Sequence, residues 1–333
     1  MVMIDSARRR WRLAAGLIVL LGAVLVLSIR LGSVPIHWSE LLALLGGQKT
    51  AHALVFMQIR LPRVVLSLVT GVNLALAGLL LQTVLKNPLA DPGIMGISAG
   101  AAFGATVVML LFPAAAAVIP LAAFGGGMAA FLLILAFSWR QQLAPIVLIL
   151  AGVAVNTVIS GGQSVLTTLF SDRLQGVVLW LNGDLSGKTW GQIGLVFAYS
   201  VPAYLLIVLL LGKLNVLSLN DTAAASLGVP VRFYRLVIAA AGVYLAAVTV
   251  AQVGLISFVG LIVPHIARLL VGGNHRVLVP FTILVGALVV SCGDTIARTI
   301  VAPVELPVGT IMAILGGPFF LFLLLRQKGG SRA

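Results

Sequence analysis

The chain has 333 residues, 61% of them hydrophobic and 9% charged, with a net charge of +13. The apolar runs return along its whole length with only short polar links, which excludes the two soluble globular domains that the length alone would suggest. They point instead to a single all-α integral membrane unit over residues 1–333.

A helix needs about 20 apolar residues to cross roughly 30 Å of hydrocarbon. Ten stretches satisfy this, near 13–29, 64–84, 93–112, 115–137, 145–169, 191–211, 234–252, 254–271, 278–297 and 307–325. With the N-terminus inside, ten spans return the C-terminus to the same side. The inner side then collects fourteen of the 21 basic residues, from Arg8, Arg9, Arg10 and Arg12 to Arg332, and the acids Asp5, Asp91 and Asp221. Outside remain Arg30, Lys49, Arg60, Arg63, Arg173, Lys188 and Arg298, giving a net +11 inside and +2 outside. Basicity therefore follows from topology, and a nucleic-acid partner is not expected.

Arg8 to Arg12 before an apolar run resembles a signal peptide, but no small-residue cleavage site follows, so the segment reads as the first span. The second span carries Gly71-Val72-Asn73-Leu74-Ala75, weakly matched by Gly242-Val243-Tyr244-Leu245-Ala246 in the seventh, which implies two repeats of opposite orientation. Between the second and third spans, Lys86 to Gly93 contains two prolines, which break helix geometry and force re-entry into the next span. Gly96, Gly100 and Gly104 recur every four residues and form a face for close helix packing. Gly125, Gly126 and Gly127 form a looser patch of the same kind.

In the fifth span Asn156, Ser160, Gln163 and Thr167 follow at steps of four, three and four, a polar stripe on one helix face. The stripe suits either interhelical hydrogen bonding or a wall of a translocation path. The segment from Ser218 to Arg235 offers Asn220 and Asp221 as helix caps, then Ala223, Ala224, Ala225 and Leu227, closed by Gly228 and Pro230. A short exposed helix there fits a docking surface for a cytoplasmic partner. His265 follows Pro264 within the eighth span and reads as structural; Asp294 precedes Arg298 by four residues and reads as a local salt bridge. Cys292 stands alone, so no internal disulfide can form. No H-E-x-x-H, aspartate-rich cluster, G-x-S-x-G or G-x-x-x-x-G-K-[ST] pattern occurs. The chain is therefore not expected to be an enzyme or to hold a metal.

Several longer strings carry a resemblance. Arg60-Leu61-Pro62-Arg63, the run Gly78 to Gly104 with Gln82 and Asn87-Pro88-Leu89-Ala90-Asp91-Pro92, Phe258 to Arg268, and Glu305-Leu306-Pro307-Val308-Gly309 through Gly316-Gly317-Pro318-Phe319 look like the permeases of iron-siderophore, haem and cobalamin ABC importers. The resemblance implies a ten-transmembrane-helix permease bundle in the bacterial cytoplasmic membrane with both termini cytoplasmic. It implies a second permease, identical or paralogous, two cytoplasmic ATPase subunits that carry ATP and Mg, an extracytoplasmic substrate-binding protein and an iron chelate as substrate; this chain itself binds no cofactor.

By the same resemblance Arg60, Arg63 and Arg298 meet acidic residues of the binding protein. Asp221, Ala224, Ala225, Leu227 and Gly228, within the loop 213–232, couple to the ATPase. Asn87, Leu89, Ala144 and Pro145 form the cytoplasmic gate, and the fifth span with Asn156, Ser160, Gln163 and Thr167 lines the path. Ala144 and Pro145 depart from relatives that carry small hydroxyl residues at this point. An ion-coupled secondary transporter is the alternative, disfavoured by the lack of acids near span centres.

Overall fold

The computed structural model describes residues 7–32, 37–46, 50 and 52–328. Asp5, Lys49 and Arg332 of the charge inventory lie outside the described residues. In chain order the helices are α1 (Ala7–Arg30), α2 (Trp38–Leu45), α3 (Ala53–Val55), which continues through a π turn at Phe56–Arg60 into α4 (Leu61–Leu85), α5 (Ile97–Leu111), α6 (Ile119–Ser138) and α7 (Pro145–Leu169). There follow α8 (Leu174–Leu181), α9 (Trp190–Leu217), α10 (Asp221–Ser226), α11 (Val231–Val253), α12 (Val259–Val271), α13 (His275–Thr299) and α14 (Val308–Lys328).

Among the described residues, seven helical segments are long and apolar enough to cross a bilayer, and three shorter apolar helices, α5, α12 and α14, fall on the remaining predicted stretches. At 1.5 Å per residue, the 15 residues of α5 and 13 of α12 reach only about 22 and 20 Å. The predicted spans 93–112 and 254–271 are longer because apolar residues continue outside the α-helices, through a 3₁₀ turn at Pro92–Met95 and an irregular stretch from Gly254. Hydropathy counts residues and is blind to their conformation. The eight-residue helices α2 and α8 were not expected.

Helix α4 is the axis of the fold, packed against α11, α12 and α13. Glycine lets the backbones touch: a Cβ on Gly78 would stand 1.9 Å from the carbonyl oxygen of Gly260, and one on Gly71 2.2 Å from that of Gly286. The α5/α6 pair uses the same device, with Gly100 against Gly126 and Gly104 against Ala122, each at 2.2 Å. Gly96, expected on that face, instead turns the chain into α5 at φ +79°, a conformation that favours glycine.

Gly242 of α11 packs on Ala77, Leu80 and Leu81, while Thr249, seven residues on, accepts from Asn73, so α4 and α11 run antiparallel. Each is followed by a break and a short helix, α5 or α12. The breaks meet at the centre, where Pro92 sits against Gly260. Asp91 is drawn inward with them, beside Leu74 of α4 and Ala246 and Val250 of α11. Asp91, expected from sequence in the inner loop, lies instead on a segment that folds back beside the middle of α4 and the C-terminal half of α11.

Candidate functional site

At one end of the bundle α4 and α13 bring the predicted docking arginines together below the surface. Arg60, Arg63 and Arg298 are 4%, 5% and 2% exposed. Arg63 Nε donates to Asp294 Oδ1 at 2.9 Å, and its Nη1 donates to Glu305. Arg298 Nε lies 3.1 Å from Asp294 Oδ2, the local pair expected from sequence, while its Nη2 donates to the Ser28 carbonyl at 3.0 Å. Arg60 donates to the carbonyls of Ile29, at 3.2 Å, and Leu31. Burial of guanidinium groups is tolerable because the acids and the carbonyls at the end of α1 are placed to receive their N–H groups. The cluster thus ties α1, α4, α13 and the 300–307 loop into one piece.

On α7 the predicted stripe separates by direction. Asn156 Nδ2 donates to the Gly93 carbonyl at 2.9 Å and Gln163 Nε2 to Thr106 Oγ1 at 2.7 Å, so both amides face the α5 side. Their carbonyl oxygens are buried without a partner. Ser160 is exposed, and Thr167 donates to the Ser164 carbonyl at 3.1 Å. A second polar row, Thr157, Ser164 and Thr168 with Gly161, continues from Ser160 along the exposed side. Each of those three hydroxyls donates to a carbonyl four residues back, at 2.8 to 3.0 Å, which satisfies the donor without a neighbouring helix. This row was not expected from the sequence, although its spacing of three to four residues is legible there.

At the opposite end stands α10, capped by Asn220, whose Oδ1 accepts from the Ala223 amide at 2.7 Å. Ala224 is buried, whereas Ala225, Leu227 and Gly228 are exposed, and Gly228 closes the turn at φ +71°. Asp221 opens the helix and accepts from Lys86 Nζ at 2.5 Å and from Arg235 Nη2 at 2.8 and 2.9 Å. Partial burial raises the pKa of this carboxyl, but the bonds from Lys86 and Arg235 outweigh it and hold the group below the usual carboxylate range.

Both predicted gate turns attach to this element. Asn87 Oδ1 accepts from the Leu89 amide at 2.9 Å and Asp91 Oδ1 from the Gly93 amide at 2.9 Å, two successive side-chain turns directly after Lys86. Ala144 and Pro145 start α7 behind Gln142 and Leu143, which hold φ of +58° and +54°. Arg235 Nη1 donates to the Leu143 carbonyl at 3.3 Å, and Arg232 donates to the Trp139 carbonyl at 3.0 Å with its guanidinium 4.2 Å over the indole. One carboxylate, Asp221, therefore joins α10 to the turn after α4 and, through Arg235, to the turn before α7.

A polar centre that the sequence reading did not assign lies in the core. Asn73 Nδ2 donates to Ser200 at 2.8 Å and Thr249 at 2.9 Å, and its Oδ1 accepts from Tyr204. Nothing within α4 alone announces it, because the partners sit on α9 and α11. Among the described residues no three His, Cys, Asp or Glu converge as a metal site.

The model of the FecCD transport family matches residues 19–326. The Fe(3+)-citrate import system permease protein YfmE of Bacillus subtilis is 35% identical over 309 residues, covering 92% of this chain and 93% of the relative. The Iron(3+)-hydroxamate import system permease protein FhuG of Bacillus subtilis is 35% identical over 324 residues, covering 93% and 95%. A solved structure described as a metal-chelate type ABC transporter in an inward-facing conformation superposes with a TM-score of 0.85 at 31% identity, covering 95% of this chain and 99% of the other. With the arginine cluster, the antiparallel α4/α11 pair and the α10 element in the matched region, the chain belongs to the FecCD transport family.

Proposed function

We propose that the chain is the membrane-spanning permease subunit of a binding-protein-dependent ABC importer that moves an iron(III) chelate into the cytoplasm. It works as a dimer of permeases, identical or paralogous, with two ATPase subunits on the α10 side and a substrate-binding protein on the arginine side. Ten helices span the bilayer, and both termini lie in the cytoplasm. The observation that carries this reading is the double attachment of Asp221. A force on the exposed face of α10, at Ala225, Leu227 and Gly228, reaches the gate turns at Asn87 and Leu89 and at Ala144 and Pro145 without an intervening flexible loop.

The family match and relatives named for ferric citrate and ferric hydroxamate import support the substrate class. Arg60, Arg63 and Arg298 set the shape and potential of the docking surface from beneath it, since their side chains are held inside. Charge placed this way guides encounter and orientation more than affinity. The path runs along α7, with Ser160 on its exposed side, Thr167 bonded back onto its own helix, and Asn156 and Gln163 fixing that helix against Gly93 and Thr106.

Asp91, beside the middle of α4 and the C-terminal half of α11, is what an ion-coupled carrier would draw on. Proteoliposomes holding the permease, its ATPase and the binding protein separate the two readings. Uptake of radiolabelled ferric chelate is expected to require ATP and the ATPase; uptake driven by a proton or sodium gradient without the ATPase overturns the importer reading.

A further inference from the structure

At the α10 end, the ends of α4, α9 and α12 and the start of α13 enclose an open cavity of about 350 Å³. That volume sits in the lower range of small-molecule sites. Its functional lining is Gln82, Lys86, Asn87, Arg268 and His275, with Thr83 on the floor; no Asp or Glu lines it. Arg268 Nη2 donates to Gln82 Oε1 at 3.1 Å, a neutral acceptor. Gln82 is fixed in that orientation because its Nε2 donates to the carbonyls of Gly260 and Leu261 at 3.1 and 3.3 Å. Among the described residues no carboxylate forms an ion pair with Arg268, so its charge faces the cavity uncompensated. Lys86, on the same lining, shares the single acid Asp221 with Arg235. His275 is already engaged by Thr83 at 2.9 Å and by Asn215 at 3.1 Å, so it shapes the wall rather than adding charge.

We infer that this cavity binds a phosphate group. A guanidinium presents a planar pair of N–H donors to two oxygens of one oxyanion, and an ammonium adds a point charge. The amide of Asn87 stands on the same rim. A phosphate between Arg268 and Lys86 competes with Asp221 for Lys86, so occupancy loosens the tie between α10 and the turn after α4. The ligand is either the headgroup of a lipid at the membrane boundary or a freely diffusing phosphate. Its cytoplasmic placement rests on the permease reading above, whereas binding itself does not.

The test is thermal unfolding of the full chain in neutral detergent, which reads binding without transport. One arm titrates inorganic phosphate against chloride at matched ionic strength; the other titrates dihexanoyl phosphatidylglycerol against dihexanoyl phosphatidylcholine. The midpoint is expected to rise with the anion. Arg268→Gln is expected to raise the half-saturating concentration about tenfold, as loss of a charged hydrogen-bond partner does, while Arg276→Gln, outside the cavity lining, leaves it in place. If Arg268→Gln does not yield folded protein, Lys86→Gln is read in the same titration and carries the same expectation. A response in the lipid arm alone assigns a headgroup, and one in the inorganic phosphate arm, with or without the lipid arm, assigns free phosphate. No response in either arm, or an undiminished response in the lining variant, overturns the proposal.

Discussion

Replacing Asp294 by asparagine strips one negative charge from a cluster in which Arg63, Arg298 and Asp294 side chains are 6%, 2% and 1% exposed. Removing one partner of a buried ion pair costs about 3–5 kcal/mol, because the remaining charge keeps its desolvation penalty without its counter-ion. Here two guanidinium groups lose the same partner, which pushes the value up. Arg63 retains Glu305, and Arg298 retains Ser28, which pulls it down. The balance predicts about 3 kcal/mol, read as the shift in the unfolding midpoint of the full chain in a graded denaturing-detergent titration. The double variant Asp294→Asn/Arg298→Met is expected to lose at least about 1 kcal/mol less than the sum of the single changes, since it removes a charge together with its partner. A single Asp294→Asn loss below about 1 kcal/mol, or strict additivity in the double variant, refutes the account of a coupled buried cluster.

Gly78→Ala forces a methyl to 1.9 Å from a backbone oxygen of α12, beyond what side-chain adjustment can absorb. It is expected to exceed the usual 1–3 kcal/mol overpacking cost, roughly, and to abolish recovery of folded protein, whereas Gly125→Ala, which meets nothing within 4 Å, is neutral by the same measurement. Asn73→Leu leaves the Tyr204 hydroxyl without its acceptor, while Ser200 and Thr249 still donate to their own helix carbonyls. The expected loss is about 1–2 kcal/mol, mostly recovered by adding Tyr204→Phe, in the same unfolding assay. Asp221→Asn is expected to cut ATP-driven uptake several-fold while the protein remains folded, seen by comparing uptake with detergent-solution stability. Because its folded pKa is depressed, the Asp221 tie is fully present above the ordinary carboxylate range and is lost as pH falls below about 4. Limited proteolysis near 218–230 is expected to accelerate over that window.

Among the described residues, seven of the ten apolar stretches fall on helical segments long and apolar enough to cross a bilayer and three on shorter apolar helices, because composition is written along the chain whereas the point at which a helix breaks is not. The capping of α10 by Asn220 and its closure at Gly228 were legible for the same reason: both are local chemistry. The pairing of Asp294 with Arg298 four residues along one helix was legible too.

What a polar side chain faces was decided only by the fold. Arg63 meets Asp294 across 231 residues of sequence, so no pattern around either could announce that the arginines expected to dock a binding protein are buried. The stripe on α7 was recognisable as a helix face, but Gly93 and Thr106 determine that Asn156 and Gln163 turn toward the protein while Thr157, Ser164 and Thr168 face away. Asp91 lies in a proline-rich string that reads as a loop, and its depth follows from the meeting of two chain breaks at Gly260. Hydropathy determines which residues enter the membrane; the environment of each charge depends on partners that chain folding brings from far away.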